Sequence, residues 1–291
     1  MTTLRTTIAC TFLLAAVALL AACGSDDAAS TPTTTAAAAT TSEACAKESL
    51  ALLTSGQLTI GTDKPAYPPY FMDEKPENGK GFEGALAYAI ADQLGFAPGE
   101  VTWVVVPFDS SYAPGDKSFD FDLNQISITA PRQKVVDFSS PYYTAPQAVI
   151  VSSKSPLAKA TSLAELKDAQ LGVQVGTTSL DAATSVLAPS QDVRVFNNSN
   201  DVVAAFKQGQ VDAIVVDLPT AFYLTAAVLD NAMIVGQFNA PGGDQWGALL
   251  QKDSALTTCV SKAVDSLHDS GELAKITEQW MGTEAGAPEL K

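Results

Sequence analysis

Residues 122–143, DLNQISITAPRQKVVDFSSPYY, decide how the rest of the chain is read. Phe121, Leu123 and Ile126 are apolar residues alternating into this stretch, the mark of a short strand with one buried face. The chain then passes Ser127 and Thr129 to Pro131 and Arg132. Proline cannot continue a strand but suits the first turn of a helix, so Arg132 stands where strand gives way to helix. A guanidinium placed there, with the Ser127 and Thr129 hydroxyls and free backbone N–H groups nearby, is a socket for a small carboxylate. The bland alternatives are a solvated arginine or a pair with Asp137.

Working outward, strand and helix signals alternate on both sides. Leu58 to Gly61 reads as a strand that ends at Asp63, followed by a loop stiffened by Pro65, Pro68 and Pro69 that presents Tyr67, Tyr70 and Phe71. Leu86, Ile90 and Leu94 recur at helical spacing over Gly81 to Phe96, and Val101 to Val106 is a strand leading to Phe108. Beyond the central stretch, Ala148 to Val151 reads as an apolar crossing segment. Leu171 to Val175 is a strand that ends in Gly176-Thr177-Thr178-Ser179, the opening of a helix. Val193 to Phe196 and Val211 to Val216 are further strands, the second stopping at Asp217 before Leu218-Pro219. An acid at the tip of an apolar strand faces the crevice where open α/β sheets bind ligands, although Asp217 could equally cap the next helix. Ile234 to Gly243 reads as a second crossing, Trp246 to Gln251 as a strand, and helices follow over Leu256 to Leu267 and Gly271 to Trp280.

These segments, in this order, resemble the extracellular solute-binding proteins of polar amino-acid ABC importers. The matching pieces are LTIGTDKPAYPPYF, GFEGALAYAIADQLGF, the central stretch, LGVQVGTTS and VDAIVVD. The resemblance implies an α/β, two-lobed periplasmic-binding-protein-like fold of type II, with a hinge of two crossing segments. Lobe 1 would comprise residues 45–147 and 240–291, and lobe 2 residues 148–239. It implies a protein that captures a free amino acid between the lobes and passes it to an importer permease, as a monomer with no cofactor. The ligand set it implies is Asp63, Tyr67, Phe108, Asn124, Gln125, Ser127, Arg132, Thr177, Thr178 and Asp217. Arg132 would take the α-carboxylate and Asp217 the α-ammonium. Asn124 and Gln125 would narrow the pocket or offer amide hydrogen bonds to the ligand side chain. A cyclohexadienyl dehydratase shares this fold, so an enzyme is the competing class. It would need a carboxylic acid of raised pKa over the bound ring, for which the sequence offers only Asp63.

With 291 residues the chain has room for two cores, and its formal net charge of −15 disfavours nucleic acid and anionic lipid surfaces as partners. Residues 1–22 join one early cation, Arg5, to an apolar run and small residues, the pattern of an export signal. Leu20-Ala21-Ala22-Cys23 resembles the bacterial lipobox, which implies lipidation of Cys23 and anchoring to the outer face of the cytoplasmic membrane. A plain secretory cleavage is the alternative. Residues 23–44, rich in Ala, Thr and Ser, read as a flexible tether. Of the 4 cysteines, Cys10 falls in the leader and Cys23 is the lipid site, which leaves Cys45 and Cys259 either to pair in an exported chain or to stay as two buried thiols. No Cys-x-x-Cys exists and His268 is the sole histidine, so no metal site is expected.

Overall fold

The structure, a computed structural model, describes residues 44–240, 242–282 and 286–291. The expected leader, Cys23 and the tether through residue 43 lie outside the described residues. Strands run in chain order as β1 (Leu58–Thr62), β2 (Val101–Val105), β3 (Phe121–Asp122), β4 (Val136–Thr144), β5 (Gln147–Ser152), β6 (Leu171–Gln174), β7 (Arg194–Phe196), β8 (Ala213–Asp217), β9 (Ala232–Phe238) and β10 (Gln245–Gln251). They form two sheets, ordered β2-β1-β3-β10-β4 and β7-β6-β8-β5-β9. In each, the strands that deliver cleft residues run parallel, β1 with β2 and β3, and β6 with β7 and β8. Their C-terminal ends therefore open on the same cleft, where ligands of such sheets bind. The two lobes are the halves of an α/β fold of type II.

Helices cover the sheets. Helix α1 (Phe82–Gln93) follows β1, and α2 (Phe108–Ser111) and α3 (Ala130–Gln133) are single turns beside the cleft. Helices α4 (Thr178–Ala182), α5 (Ser199–Lys207) and α6 (Leu218–Tyr223) belong to the second lobe, and α7 (Thr257–Asp269) and α8 (Glu272–Met281) return to the first. The helical spacing of Leu86, Ile90 and Leu94 buries all three, against Leu58, Ile60, Phe121, Leu123 and Trp246 on the sheet and Val260, Val264 and Leu267 on α7. Each such side chain contributes about 1.5–3 kcal/mol of burial. Cys45 and Cys259 are joined, with Cα atoms 5.4 Å apart, so the start of the folded region is stapled to α7.

Two expectations about the lobes give way. Ala148 to Val151 is not a crossing segment but the interior of β5, paired on one side with β8 and on the other with β9. Its apolar run reflects a central strand buried on both faces. The chain instead crosses at 145–146, and of the expected return over Ile234 to Gly243 the part from Ile234 to Phe238 lies inside β9, so the return begins only after Phe238; the Ala145 N–H donates to the Asp244 carbonyl at 2.9 Å and joins the two passes. The C-terminus also does not stay with the first lobe. Glu289 bridges to Gln237 on β9, the Leu290 N–H donates to the Gln237 carbonyl at 2.9 Å, and Leu290 is buried in the core of the second lobe.

Candidate functional site

The cleft is built from strand ends. β1 terminates at Thr62 and Asp63, whose carboxylate accepts from the Lys64 N–H at 2.6 Å. Burial raises the Asp63 carboxyl above its usual range, opposed by backbone N–H donors from Lys64 and Phe108. The proline loop then sets two tyrosines against the second lobe. The Tyr70 hydroxyl meets Thr220 Oγ1 at 2.8 Å, and Tyr67 reaches Ser199 Oγ at 3.4 Å and stacks on Tyr223 with 9° between the ring planes. Phe71 goes fully into the core.

The central stretch leaves β3 through Asn124 and Gln125. Gln125 sits at φ 48, and its backbone N–H donates to Glu83 Oε1 at 2.7 Å while its amide donates to Glu83 Oε2. Glu83 also accepts from the Tyr142 hydroxyl, and burial pushes its carboxyl up to about 7 against these lowering bonds. Gln125 is thus fixed from behind by a buried acid. Ser127 forms an isolated bridge to Trp246 and touches Thr178 Oγ1 across the cleft at 3.2 Å.

Thr129 caps α3 by accepting from the Arg132 N–H at 3.3 Å. The guanidinium donates through Nη1 to the Ser127 carbonyl at 2.7 Å and through Nη2 to the Gly176 carbonyl of the other lobe at 2.9 Å. It lies 4.6 Å from the Tyr112 ring centre and 5.6 Å from that of Phe108, a cation packed against an edge-to-face aromatic pair. At 8% exposure burial pulls its pKa down, with Tyr112, Asp181 and Asp217 opposing. Asp137, the alternative partner, is taken by Lys252 at 2.9 Å.

The second lobe answers with Thr177, which caps α4 by accepting from the Leu180 N–H at 3.2 Å, and with Asp217 at the end of β8. Asp217 makes no side-chain cap to α6; it accepts from Gln147 Nε2 at 2.6 Å. Loss of solvent first, and then the Asp244 carboxylate, push the Asp217 carboxyl up to about 8.

All the expected ligand residues line one cleft except Arg132, which stands behind the Ser127 and Gly176 backbone. The lining also includes Tyr70, Gln174, Asn198, Ser199, Asn200 and Thr220, which the sequence reading did not select. Asn198 to Asn200 had a legible signal, an N-cap at the C-terminal end of a strand, and Asn198 does cap α5 by accepting from the Asp201 N–H at 2.9 Å. Among the described residues no cluster of His, Cys, Asp and Glu could hold a metal ion.

This architecture has known counterparts. The profile of the bacterial extracellular solute-binding proteins, family 3, matches residues 58–283. The chain belongs to this family. The solute-binding protein is 28% identical over 223 residues to an arginine-binding periplasmic protein of Mannheimia haemolytica, covering 75% of this chain and 89% of the relative. It is 27% identical to the L-cystine-binding protein TcyJ of Escherichia coli, with coverage of 79% and 84%. Among solved structures, an ancestral arginine-binding protein bound to glutamine superposes with a TM-score of 0.67 at 34% identity, over 79% of this chain and 99% of that one. An ancestral amino acid-binding protein described as a precursor of cyclohexadienyl dehydratase gives a TM-score of 0.64 at 31% identity, with coverage of 78% and 95%.

Proposed function

We infer that this solute-binding protein captures a free amino acid outside the cytoplasm, between its two lobes, and delivers it to an ABC importer. The observation that carries this reading is a cation and an acid contributed by opposite lobes, Asp217 of β8 lining the cleft and Arg132 of α3 directly behind the Ser127 backbone that lines it. A zwitterion needs both, because burying either pole unpaired costs several kcal/mol. Arg132 gives N–H donors to two backbone carbonyls and also meets the Tyr112 hydroxyl, and a guanidinium with five donors has others to offer a carboxylate. Neither lobe neutralises the ligand alone, so binding favours the closed hinge. Elsewhere in the lining, Asp63, Asn124, Gln125, Gln174 and Asn198 carry hydrogen-bonding groups and favour a polar side chain. Arginine, cystine and histidine, the ligands named for its relatives, share that property. Anchoring through a lipidated Cys23 and a monomeric state complete the proposal.

Thermal unfolding against L-arginine, L-cystine, L-histidine, L-glutamine and L-leucine tests it. A polar member raises Tm and leucine does not; no shift with any of them refutes amino-acid capture.

A second reading, a dehydratase on the same fold, is favoured by the carboxyls of raised pKa in the cleft, Asp63, the acid the sequence offered, and Asp217. The named relatives are binding proteins, and incubation with prephenate or arogenate separates the two, since only the enzyme consumes them.

A further inference from the structure

Gln147 and Asp244 belong to neither the expected ligand set nor the cleft lining, yet Gln147 bonds Asp217 directly and Asp244 shares the same amide. Gln147 opens β5 directly after the first crossing and faces Asp217 across the ladder. Asp244 is the last residue of the second crossing, and its carbonyl ties the two passes together at Ala145. The Gln147 side-chain amide donates to Asp217 Oδ1 at 2.6 Å and to Asp244 Oδ2 at 2.8 Å. One NH2 thus bridges two carboxylates, which also fixes the amide orientation, since the flipped rotamer would aim its oxygen at both. The arrangement is incomplete by its own chemistry. Gln147 is 0% and Asp244 2% exposed, and Gln147 Oε1 and Asp244 Oδ1 are buried without a hydrogen-bond partner. Among the described residues no ion pair to the cluster is seen, so two acids face one neutral amide, and buried acceptors of this kind call for a donor-rich positive group.

We propose that Gln147 and Asp244 are positioning residues for the ligand ammonium: they orient Asp217, and Asp244 adds a second negative charge that the ammonium neutralises from within the hinge. The proposal rests on the amino-acid reading above. It ties ligand charge to both crossing segments, because each contributes one member of the cluster.

The charged or titratable groups facing Asp217 are Asp244 from the second crossing, Glu83 from α1, Arg132 from α3, and Tyr67 and Tyr70 from the loop after β1. Burial first, and the neighbouring Asp244 carboxylate second, hold the Asp217 proton on in the empty cleft, and the ammonium displaces it. Affinity for a ligand whose ammonium stays charged therefore climbs with pH up to about 8, and binding at pH 7 releases about one proton.

The test is calorimetric titration of the full chain with L-arginine and L-glutamine between pH 5.5 and 8.5, in buffers of different ionisation enthalpy. Asp244→Asn binds about tenfold more weakly at pH 8, and its rise in affinity moves to lower pH with fewer protons released at pH 7. Gln147→Met removes the shared donor and moves the rise to higher pH, the opposite direction; it decides alone should D244N not fold. A purely structural role would lower affinity without moving either the pH profile or the proton count, and that result overturns the proposal. Binding by the parent with no pH dependence sinks it while leaving amino-acid capture intact. Binding of neither probe by the parent removes the amino-acid reading, and the proposal with it.

Discussion

Asp217 shows how a single residue sets function against stability. Its carboxyl is pushed up to about 8 in the fold, against about 4 in an unfolded chain, because burial and the Asp244 charge disfavour ionisation. A raised folded pKa contributes stability that is complete below the unfolded value and is lost as pH climbs through the folded one. Glu83, raised to about 7, acts in the same direction. The empty protein therefore melts at lower temperature as pH goes from 5 to 8. Asp217→Asn removes that loss and raises Tm of the empty protein at pH 8 by at least about 2 °C, after allowing for solvent screening at the cleft, while abolishing any ligand-induced shift. Unfolding scans at pH 5 and pH 8 check both. A Tm equal to the parent at pH 8 would show that Asp217 is not strained by its surroundings. Asp217 and Arg132 were legible in the sequence because each stands at a strand end beside a proline, a local pattern. Gln147 and Asp244 were not, because only the pairing of β5 with β8 and the return of the chain at residue 244 bring them to Asp217.

At the scale of elements, the joins are as informative as the helices and strands. The staple between Cys45 and α7 closes a loop across 214 residues of sequence. In the chain-entropy model such a link contributes about 5 kcal/mol, so Cys259→Ser should lower Tm sharply while leaving ligand selectivity unchanged. The C-terminal segment gives a sharper test. A Cβ on Gly236 would lie 2.5 Å from the Pro288 carbonyl oxygen and 2.7 Å from Leu290 Cγ, so glycine in β9 is the notch that lets residues 286–291 dock. Gly236→Ala should destabilise the full chain by about 1–3 kcal/mol, the scale of losing the Leu290 burial, and cost far less once residues 286–291 are deleted. Equal costs in both backgrounds would locate the effect in β9 itself. Helices α1 and α7 could be read from the four-residue spacing of their buried apolar residues. The tail could not, because it docks through backbone hydrogen bonds and one buried large side chain, Leu290, and neither leaves a periodic pattern in the sequence. The β5 run was misread for a related reason: a strand buried on both faces and a hinge segment both appear as a short apolar block.

At the scale of the molecule, the lobes meet through Tyr70 with Thr220, Ser127 with Thr178, Tyr67 with Tyr223, and Arg132 with the Gly176 carbonyl. These contacts are polar or aromatic rather than aliphatic, which suits surfaces that must part into water and meet again. The alternating order of strand and helix made the two-lobed fold readable, but which residues face each other across the cleft depends on how far the lobes close, and no local pattern encodes that. The central claim is that one amino acid joins the lobes by its two poles. Calorimetric titration with the bound amino acid and with its C-terminal amide, on the parent and on Arg132→Ala, tests it most directly. The parent should prefer the free carboxylate by about tenfold or more, and R132A should bind both forms with equal, weaker affinity. A preference for the carboxylate that survives intact in R132A would contradict the account.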